Sequence, residues 1–209
     1  MALDGWRRVV ADLAARVGLA RLLPGSGVAG GALFYNCGRQ GARSWWDRTS
    51  LAVDFVEKAI AGLPTPVRLL DLGCGDEKVA AELARRDVAV DHLGFDLHPQ
   101  SPRVRPLDLG REAIAETGDV AVVLGVFEYL DDPTAVLGRI AAAAPRLVVS
   151  LAASDLGRSA DFDPVALNWK LYVDRATFEA HLAAAGWSIE GRAVTPDGKT
   201  ALWRCRRVV

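Results

Sequence analysis

Hydrophobic and polar positions follow two patterns along this chain, short apolar runs and repeats at helical spacing. Runs bounded by turn residues occupy 67–72, 90–96, 103–107, 119–125 and 146–151, and two more follow at 187–194 and 200–208. Such runs are typical of strands, whereas apolar residues recurring every three or four positions indicate the helices between them. The alternation predicts an α/β fold with a doubly wound sheet of about seven strands, mostly parallel, and an antiparallel C-terminal edge hairpin.

Capping residues indicate where the helices between these strands begin. Helical spacing of apolar residues starts from Asp76 onward, after the first predicted strand. Asp132 followed by Pro133 is a good N-cap and first-turn pair, and Asp174 is expected to cap the last helix. These signals predict three helices, each following a strand or a loop of the core.

The residues before the first strand also favour helices. One amphipathic helix is expected to end near Leu23, and a second to run from about Asp47 or Thr49 to a stop at 62–64. Asp47, Thr49 and Ser50 are its candidate caps. We therefore expect one domain over 1–209, in which 1–62 form an N-terminal helical or lid extension and 67–209 form the core.

The composition suits a single soluble domain. With 209 residues, 51% of them hydrophobic, the chain can bury a full core. A formal charge of −1 gives no global basic field, so no nucleic-acid partner is expected. Cys37, Cys74 and Cys205 are too scattered for a disulfide framework or a zinc site. No apolar run reaches membrane-spanning length, and we expect a cytoplasmic protein with no membrane partner and an oligomeric state that the sequence leaves unknown.

The turn after the first strand carries the strongest chemical signal. Asp71, Gly73 and Gly75 alternate there, and glycine lets a backbone bend sharply against a ligand. The turn lacks the Gly-Lys-Ser/Thr ending of a P-loop, and Lys78 stands at the third glycine position of a dinucleotide fingerprint. Phosphate is thus a poor candidate ligand, whereas a carboxylate at Asp71 suits a ligand that brings a cation, such as an amino acid's ammonium group.

A second acid stands at the end of the second strand. Asp96 follows the glycine turn by roughly twenty residues, where a ribose-binding carboxylate is expected. Either acid alone could cap a helix or end a strand without binding anything. Both acids in register with two glycines favour ligand contacts.

This pattern resembles motif I of the class I S-adenosylmethionine-dependent methyltransferases, and the resemblance extends roughly from Val67 to the C-terminus. The segment 124–130 is similar to the family's Leu-Glu-His-Leu pattern, and 172–187 to its tyrosine-led helix ending in Ala-Gly-Phe. The resemblance implies a Rossmann-like fold with S-adenosylmethionine as cofactor. Its expected cofactor-binding residues are Asp71, Gly73, Gly75, Asp96 for the ribose, Asp108 with Leu109 for the adenine, and Gly125. Two departures are Glu77, where a third glycine is often found, and Tyr129, which replaces the usual histidine.

The methyl acceptor is expected to be a small molecule bound between 34–48 and 154–170. Both segments contain aromatic residues and flank the sheet edge at which α/β proteins bind ligands. The candidate substrate-binding residues are Tyr35, Trp46, Phe162 and Trp169. An Asn/Asp-Pro-Pro-Tyr segment is absent after the fourth strand, which argues against methylation of exocyclic amines of nucleobases.

The expected mechanism is direct in-line displacement onto an oxygen or nitrogen, with alignment as the protein's main contribution. His98, Glu128 and Tyr129 are the candidate bases, although Glu128 has an alternative role in holding its loop through backbone hydrogen bonds. No metal-ligand spacing is evident, so metal independence is expected. The alternative function is a catalytically inactive binding or regulatory partner with the same fold, since fold alone never proves activity.

Overall fold

The computed structural model describes residues 43–158 and 162–208. The predicted helix before Leu23 and the candidate residue Tyr35 lie outside these ranges. The described helices are α1 (Arg43–Ile60), α2 (Lys78–Arg85), α3 (Pro133–Ala143) and α4 (Arg175–Ala184), with a 3-10 turn at Phe127–Tyr129. The strands are β1 (Val67–Leu72), β2 (Val90–Asp96), β3 (Arg105–Pro106), β4 (Val120–Leu124), β5 (Arg146–Leu151), β6 (Trp187–Val194) and β7 (Ala201–Arg207).

The strands form one seven-stranded sheet in the order β3-β2-β1-β4-β5-β7-β6. β1 pairs in parallel with β2 and β4, whereas β7 runs antiparallel to both β5 and β6. The predicted mixed sheet with an antiparallel C-terminal hairpin is therefore confirmed. The chain moves outward through β2 and β3 and then returns to the far side of β1 as β4. This reversal creates a crevice at the carboxyl ends of β1 and β4, where open α/β sheets bind ligands.

Helices cover both faces of the sheet, because alternate residues of each central strand point to opposite sides. In β1, Val67 and Leu69 pack with α1, and Leu70 and Leu72 pack on the other side with α3 and α4. All four strand side chains are essentially inaccessible to solvent. Strands buried on both faces explain why the sequence shows continuous apolar runs rather than a polar alternation.

The start of α1 differs from the prediction. The helix begins at Arg43, so Asp47, Thr49 and Ser50 lie inside it and do not act as its caps. Tertiary contacts explain the longer helix, since Thr49 is buried and the Ser50 hydroxyl and carbonyl accept hydrogen bonds from Arg86 beyond β1. Residues 43–48, predicted as part of an acceptor-binding loop, are therefore helical.

Two of the predicted helix caps are confirmed, whereas the helix after β1 begins later than predicted. Asp132 accepts a hydrogen bond from the Ala135 backbone N–H at 2.9 Å, and Asp174 accepts one from Thr177 at 2.7 Å. After β1, the helix begins at Lys78 and not at Asp76, because Glu77 has a left-handed backbone conformation with φ of 60°. A left-handed residue interrupts the helical backbone, so the first turn cannot start before it.

Candidate active site

A cavity of about 1020 Å³ opens above the carboxyl ends of β1, β2 and β4. Twelve of the candidate residues from the sequence line it: Asp71, Gly73, Gly75, Asp96, His98, Asp108, Leu109, Gly125, Glu128, Tyr129, Phe162 and Trp169. Trp46 is not among its lining residues, and its side chain is 40% exposed. One end of the cavity is formed by the glycine turn with Asp71, Asp96 and Asp108, and the aromatic residues lie toward the loop that follows β5.

The glycine turn is held in place by backbone hydrogen bonds to β2. Gly73 and Gly75 have φ angles of 79° and 53°, which glycine adopts without the steric cost that a Cβ would add. The N–H groups of Gly73 and Cys74 donate to the Phe95 carbonyl oxygen at 2.7 and 3.0 Å. A Cβ at Gly73 would also overlap the side chain of Val126. The turn therefore requires glycine for its conformation and for its close approach to the loop after β4.

Asp96 connects the glycine turn to the loop after β2. Its Oδ2 accepts a hydrogen bond from the Gly75 N–H, and its Oδ1 accepts one from the His98 N–H, each at 2.9 Å. An ionised carboxylate offers about four lone-pair positions, so each oxygen retains acceptor capacity after these bonds. The carboxylate is fixed in orientation and can still accept hydrogen bonds from hydroxyl groups of a ligand.

Asp71 is the deepest acid of the cavity, with only 2% of its surface exposed. Its Oδ2 lies 3.1 Å from Nε2 of His92 on β2. Burial raises the pKa of Asp71, and the hydrogen bond to His92 opposes this rise. The sequence analysis did not identify this pairing. The pairing follows from the parallel register of β1 and β2, which places Gly94 opposite Asp71. His92 is two residues from Gly94 and therefore lies on the same face of the sheet as Asp71.

Asp108 lies at the rim of the cavity, two residues after β3. Its Oδ1 accepts a hydrogen bond from the Gly110 N–H at 3.0 Å, which folds the following loop into a tight turn. Its Oδ2 is 3.8 Å from Nε of Arg111, a side chain that is mainly exposed. Asp71, Asp96 and Asp108 thus form an acidic side of the cavity along the ends of β1, β2 and β3.

Glu128 lies at the other end of the cavity and is 3% exposed. Its Oε1 accepts a hydrogen bond from the Ala152 N–H at 2.8 Å, whereas Oε2 is buried without a hydrogen-bond partner. Its carbonyl oxygen accepts hydrogen bonds from the N–H groups of Lys170 and Leu171 at 2.7 and 3.1 Å. Burial raises the pKa of Glu128 although nearby Arg48 and Arg158 lower it. Glu128 therefore joins the loop after β4 to the segment that follows β5.

Two arginines that the sequence analysis did not select also line this end of the cavity. Arg48 extends from α1 to Gly125, where a Cβ would overlap its guanidinium group. Burial lowers the pKa of Arg48, and the nearby charge of Glu128 opposes this effect. Arg158 donates a hydrogen bond to the Lys199 carbonyl oxygen. The Nε atoms of both arginines are buried without a hydrogen-bond partner.

Aromatic side chains form the wall beside these arginines. The ring centroids of Phe162, Trp169 and Tyr172 lie 5.2 to 5.9 Å from one another. The guanidinium carbon of Arg158 lies 5.0 Å from the Phe162 centroid and 5.9 Å from that of Trp169, within the range of cation–π attraction. The Trp169 Nε1–H donates to the Tyr129 hydroxyl oxygen at 3.3 Å. These contacts create an apolar wall with one cationic edge.

A family model for the methyltransferase domain matches residues 44–190, which include β1 to β5, the start of β6 and every cavity-lining residue except Asp197, Lys199 and Thr200. The chain belongs to the methyltransferase domain family. The class I S-adenosylmethionine-dependent methyltransferases, to which it belongs, take their methyl group from S-adenosylmethionine. The resemblance inferred from the Asp-Gly-Gly turn is therefore confirmed.

Individual relatives of this methyltransferase differ in the atom that they methylate. The ubiquinone biosynthesis O-methyltransferase of Hahella chejuensis is 30% identical over 124 residues, which are 48% of this chain and 51% of the relative. The chain thus spans about half the length of the curated relative that it matches. The N-methyltransferase NodS of Bradyrhizobium japonicum, solved with S-adenosylhomocysteine, superposes with a TM-score of 0.62 at 15% identity and covers 84% of this chain and 96% of NodS.

A second solved structure matches nearly the whole chain. The magnesium protoporphyrin IX methyltransferase ChlM of Synechocystis, also with bound S-adenosylhomocysteine, has a TM-score of 0.62 at 17% identity. The match covers 96% of this methyltransferase and 99% of ChlM. At such identities these two structures show that the fold is shared.

The carboxylates that line the cavity of this methyltransferase fit S-adenosylmethionine. The buried carboxylate of Asp71 complements a cationic ligand, and the two oxygens of Asp96 complement the vicinal hydroxyls of a ribose. Residues 43–158 and 162–208 contain no group of three or more His, Cys, Asp or Glu side chains arranged to hold a metal ion. Within the same ranges, every helix is too short or too polar to cross a bilayer.

Proposed function

We propose that this protein transfers the methyl group of S-adenosylmethionine to an oxygen or nitrogen of a small molecule by direct in-line displacement. The observation that carries the proposal is the division of one cavity into two chemically different ends. The acid and glycine end suits the cofactor, and the aromatic and arginine end suits a second, smaller molecule. A volume of about 1020 Å³ is consistent with two ligands, because pockets for a single ligand commonly enclose about 300–1,000 Å³.

In this proposal the cofactor extends across the carboxyl ends of β1, β2 and β4. The glycine turn at Gly73 and Gly75 holds the methionine end, Asp96 accepts hydrogen bonds from the ribose, and Asp108 with Leu109 holds the adenine. Gly125 lies beside the cofactor at the end of β4. When bound, S-adenosylmethionine supplies an activated methyl group on a positively charged sulfur. The acidic side of the cavity favours that positive charge through nearby carboxylates.

The aromatic wall supports a planar acceptor. Phe162 and Trp169 are half-buried and line the cavity, so their ring surfaces are available to a ligand that stacks or packs against them. Aromatic pairs contribute about 0.5–1.5 kcal/mol beyond the burial of their area. Because Phe162 and Trp169 are already held by contacts with each other and with Tyr172, little conformational entropy is lost when an acceptor binds.

The main catalytic contribution of the chain is alignment of the acceptor nucleophile. Orientation alone supplies about 7–11 kcal/mol in favourable reactions, so a strong base is not required. The proton released by the acceptor then passes to solvent or to a side chain of the cavity. His98 and Tyr129 line the cavity, and Glu128 offers only its Oε2, since Oε1 is bonded to Ala152. The contacts of Glu128 support the structural role that the sequence left open for it.

The proposal is tested by measuring the release of S-adenosylhomocysteine with phenols, catechols and aromatic amines as acceptors. Wild type is expected to bind S-adenosylmethionine by calorimetry and to turn over at least one planar acceptor class. His98→Ala and Tyr129→Phe are expected to keep most of the activity if alignment dominates. A near-complete loss in one of them, with cofactor affinity intact, would show that a base is essential.

The same assay separates an active enzyme from an inactive binding partner. An inactive partner that has no need of the cofactor is expected neither to bind S-adenosylmethionine in calorimetry nor to release product with any acceptor. The intact acids at Asp71, Asp96 and Asp108 favour the enzyme, because their arrangement still suits the cofactor. Failure to bind S-adenosylmethionine at all would contradict the enzyme and favour the inactive partner.

A further inference from the structure

The charged groups that line the cavity are unevenly paired. Near the cofactor end, Lys78 pairs with Asp76 and Arg111 approaches Asp108. At the outer rim, Lys170 pairs with Asp131 at 2.6 Å. Asp132 caps α3, and the Asp197 carboxylate accepts hydrogen bonds from Thr195 and from the Lys199 N–H in the turn beside Lys199. Arg48, Arg158 and Glu128 form a further group of charges in the cavity.

Around Glu128 two guanidinium groups face one carboxylate. Arg48 and Arg158 both interact electrostatically with Glu128, and all three residues line the cavity. The Nε atoms of both arginines and Oε2 of Glu128 are buried without hydrogen-bond partners. A guanidinium group is always charged in proteins, so the three side chains Arg48, Arg158 and Glu128 together carry one positive charge in excess even when Glu128 is ionised.

A buried charge and a buried donor without a partner are both costly, and such groups are normally satisfied by protein groups, by ordered water or by a bound ion. Guanidinium groups bind planar carboxylates through two parallel hydrogen bonds. The adjacent wall of Phe162 and Trp169 would hold a planar ring at the same place, and Arg158 already packs against both rings.

We propose that the methyl acceptor is a planar molecule bearing a carboxylate, and that Arg48 and Arg158 bind this carboxylate beside Glu128. The inference rests on the proposed function, because it assigns this end of the cavity to the acceptor. Arg48 is a specificity-determining residue in this arrangement. α1 brings it to Gly125, where the absence of a side chain leaves space for the guanidinium group.

The experiment uses three probes that share a naphthalene ring and differ in its polar group: 2-naphthoate, 2-naphthamide and 2-naphthyl phosphate. Their affinities are measured by ligand-observed NMR on the full chain saturated with S-adenosylhomocysteine. Wild type is expected to bind 2-naphthoate at least tenfold more tightly than 2-naphthamide. Arg48→Met and Arg158→Met are each expected to reduce this preference to less than threefold while the amide binds as before.

Arg206→Met is the matched control, since Arg206 lies on β7, pairs with Glu190 and does not line the cavity. It is expected to keep the full carboxylate preference. Arg48→Lys retains the charge without the planar fork and is used if Arg48→Met does not fold; a loss of preference of threefold or more is expected. Equal binding of carboxylate and amide by wild type, or a preference that persists in both methionine variants, would overturn the inference. Tighter binding of the phosphate than of the carboxylate would also overturn it.

Failure of the inference and failure of the proposed function have different signatures. Calorimetry with S-adenosylhomocysteine is run on every protein before the probes are added. If wild type binds S-adenosylhomocysteine but shows no carboxylate preference, only the inference fails. If wild type does not bind S-adenosylhomocysteine, the proposed function fails with it.

Discussion

Replacing Asp96 is the most direct test of the cofactor assignment, because this carboxylate has two measurable roles. In the protein alone it accepts hydrogen bonds from the N–H groups of Gly75 and His98, both at 2.9 Å. In the proposed complex it also accepts hydrogen bonds from the ribose hydroxyls. Asp96→Ala removes both roles, whereas Asp96→Asn keeps one carbonyl oxygen as an acceptor.

The expected loss of affinity follows from the negative charge of the Asp96 carboxylate, which accepts these hydrogen bonds. A hydrogen bond to an ionised group contributes about 1.5–3 kcal/mol, and part of this is retained through water in the variant, so a loss of roughly 1–3 kcal/mol is expected. Since each 1.4 kcal/mol is tenfold in affinity, Asp96→Ala should weaken binding of S-adenosylhomocysteine about 5- to 150-fold. Loss of the two backbone contacts should also lower the free energy of unfolding by about 1–2 kcal/mol.

Calorimetry measures the affinity, and thermal unfolding without ligand measures the structural role. Asp91→Ala is the control on the same strand, because Asp91 forms an exposed ion pair with Arg68 and does not line the cavity. It should leave the affinity unchanged. If Asp96→Ala lowers the unfolding temperature but binds S-adenosylhomocysteine as tightly as wild type, Asp96 only holds the loop and the ribose assignment is wrong.

Three further predictions concern the stability of the fold and the independence from metal. Gly73→Ala should lose at least 1–2 kcal/mol of stability, because its φ of 79° disfavours a side chain and its Cβ would overlap Val126. A Cβ at Gly138 inside α3 would meet no other atom, so Gly138→Ala should raise the free energy of unfolding by about 0.5–1 kcal/mol. Chemical denaturation measures both variants, and an equal change in the two free energies of unfolding would refute this reasoning. Hydrogen bonds from Arg85 lower the pKa of Glu82 to about 2, below the unfolded value near 4.3, so its stabilisation is complete above pH 4.3 and is lost as the pH falls toward 2. The stability difference between wild type and Glu82→Gln should therefore shrink over that interval, and a constant difference would contradict it. Methyl transfer should withstand a chelator, whereas loss of activity restored by magnesium would contradict metal independence.

The sequence predicted most of the fold because its signals are local. Strands buried on both faces appear as continuous apolar runs, and a parallel order places the carboxyl ends of neighbouring strands at one edge. Asp71 and Asp96 end adjacent strands, so their proximity in the cavity follows from the register of β1 and β2 alone. The caps at Asp132 and Asp174 were predictable for the same reason, since each bonds to a residue three positions away.

The arginine end of the cavity was not predictable from local patterns. Arg48 is one of several polar residues on an amphipathic helix, and only the packing of α1 on the sheet brings it to Gly125. The start of α1 was misplaced for a related reason, because Ser50 accepts hydrogen bonds from Arg86, the residue after α2, and does not bond to the N–H groups at the start of its own helix. The Asp71 and His92 contact likewise depends on the pairing of two strands and not on either strand alone.

The opposite charges at the two ends of the cavity give a physical reason for the order of its ligands. Carboxylates of Asp71, Asp96 and Asp108 line the end that is proposed to receive a cationic sulfonium and ammonium, and Arg48 and Arg158 lie near Glu128 at the other end. A carboxylate acceptor placed at the cofactor end would lie among like charges, which costs free energy in a partly buried site. A cationic cofactor placed at the arginine end would meet the same repulsion. In the proposed complex, charge therefore discriminates between the two ligands before any hydrogen bond forms, and the acceptor binds with its anionic group directed toward the arginines and away from the carboxylates of Asp71, Asp96 and Asp108.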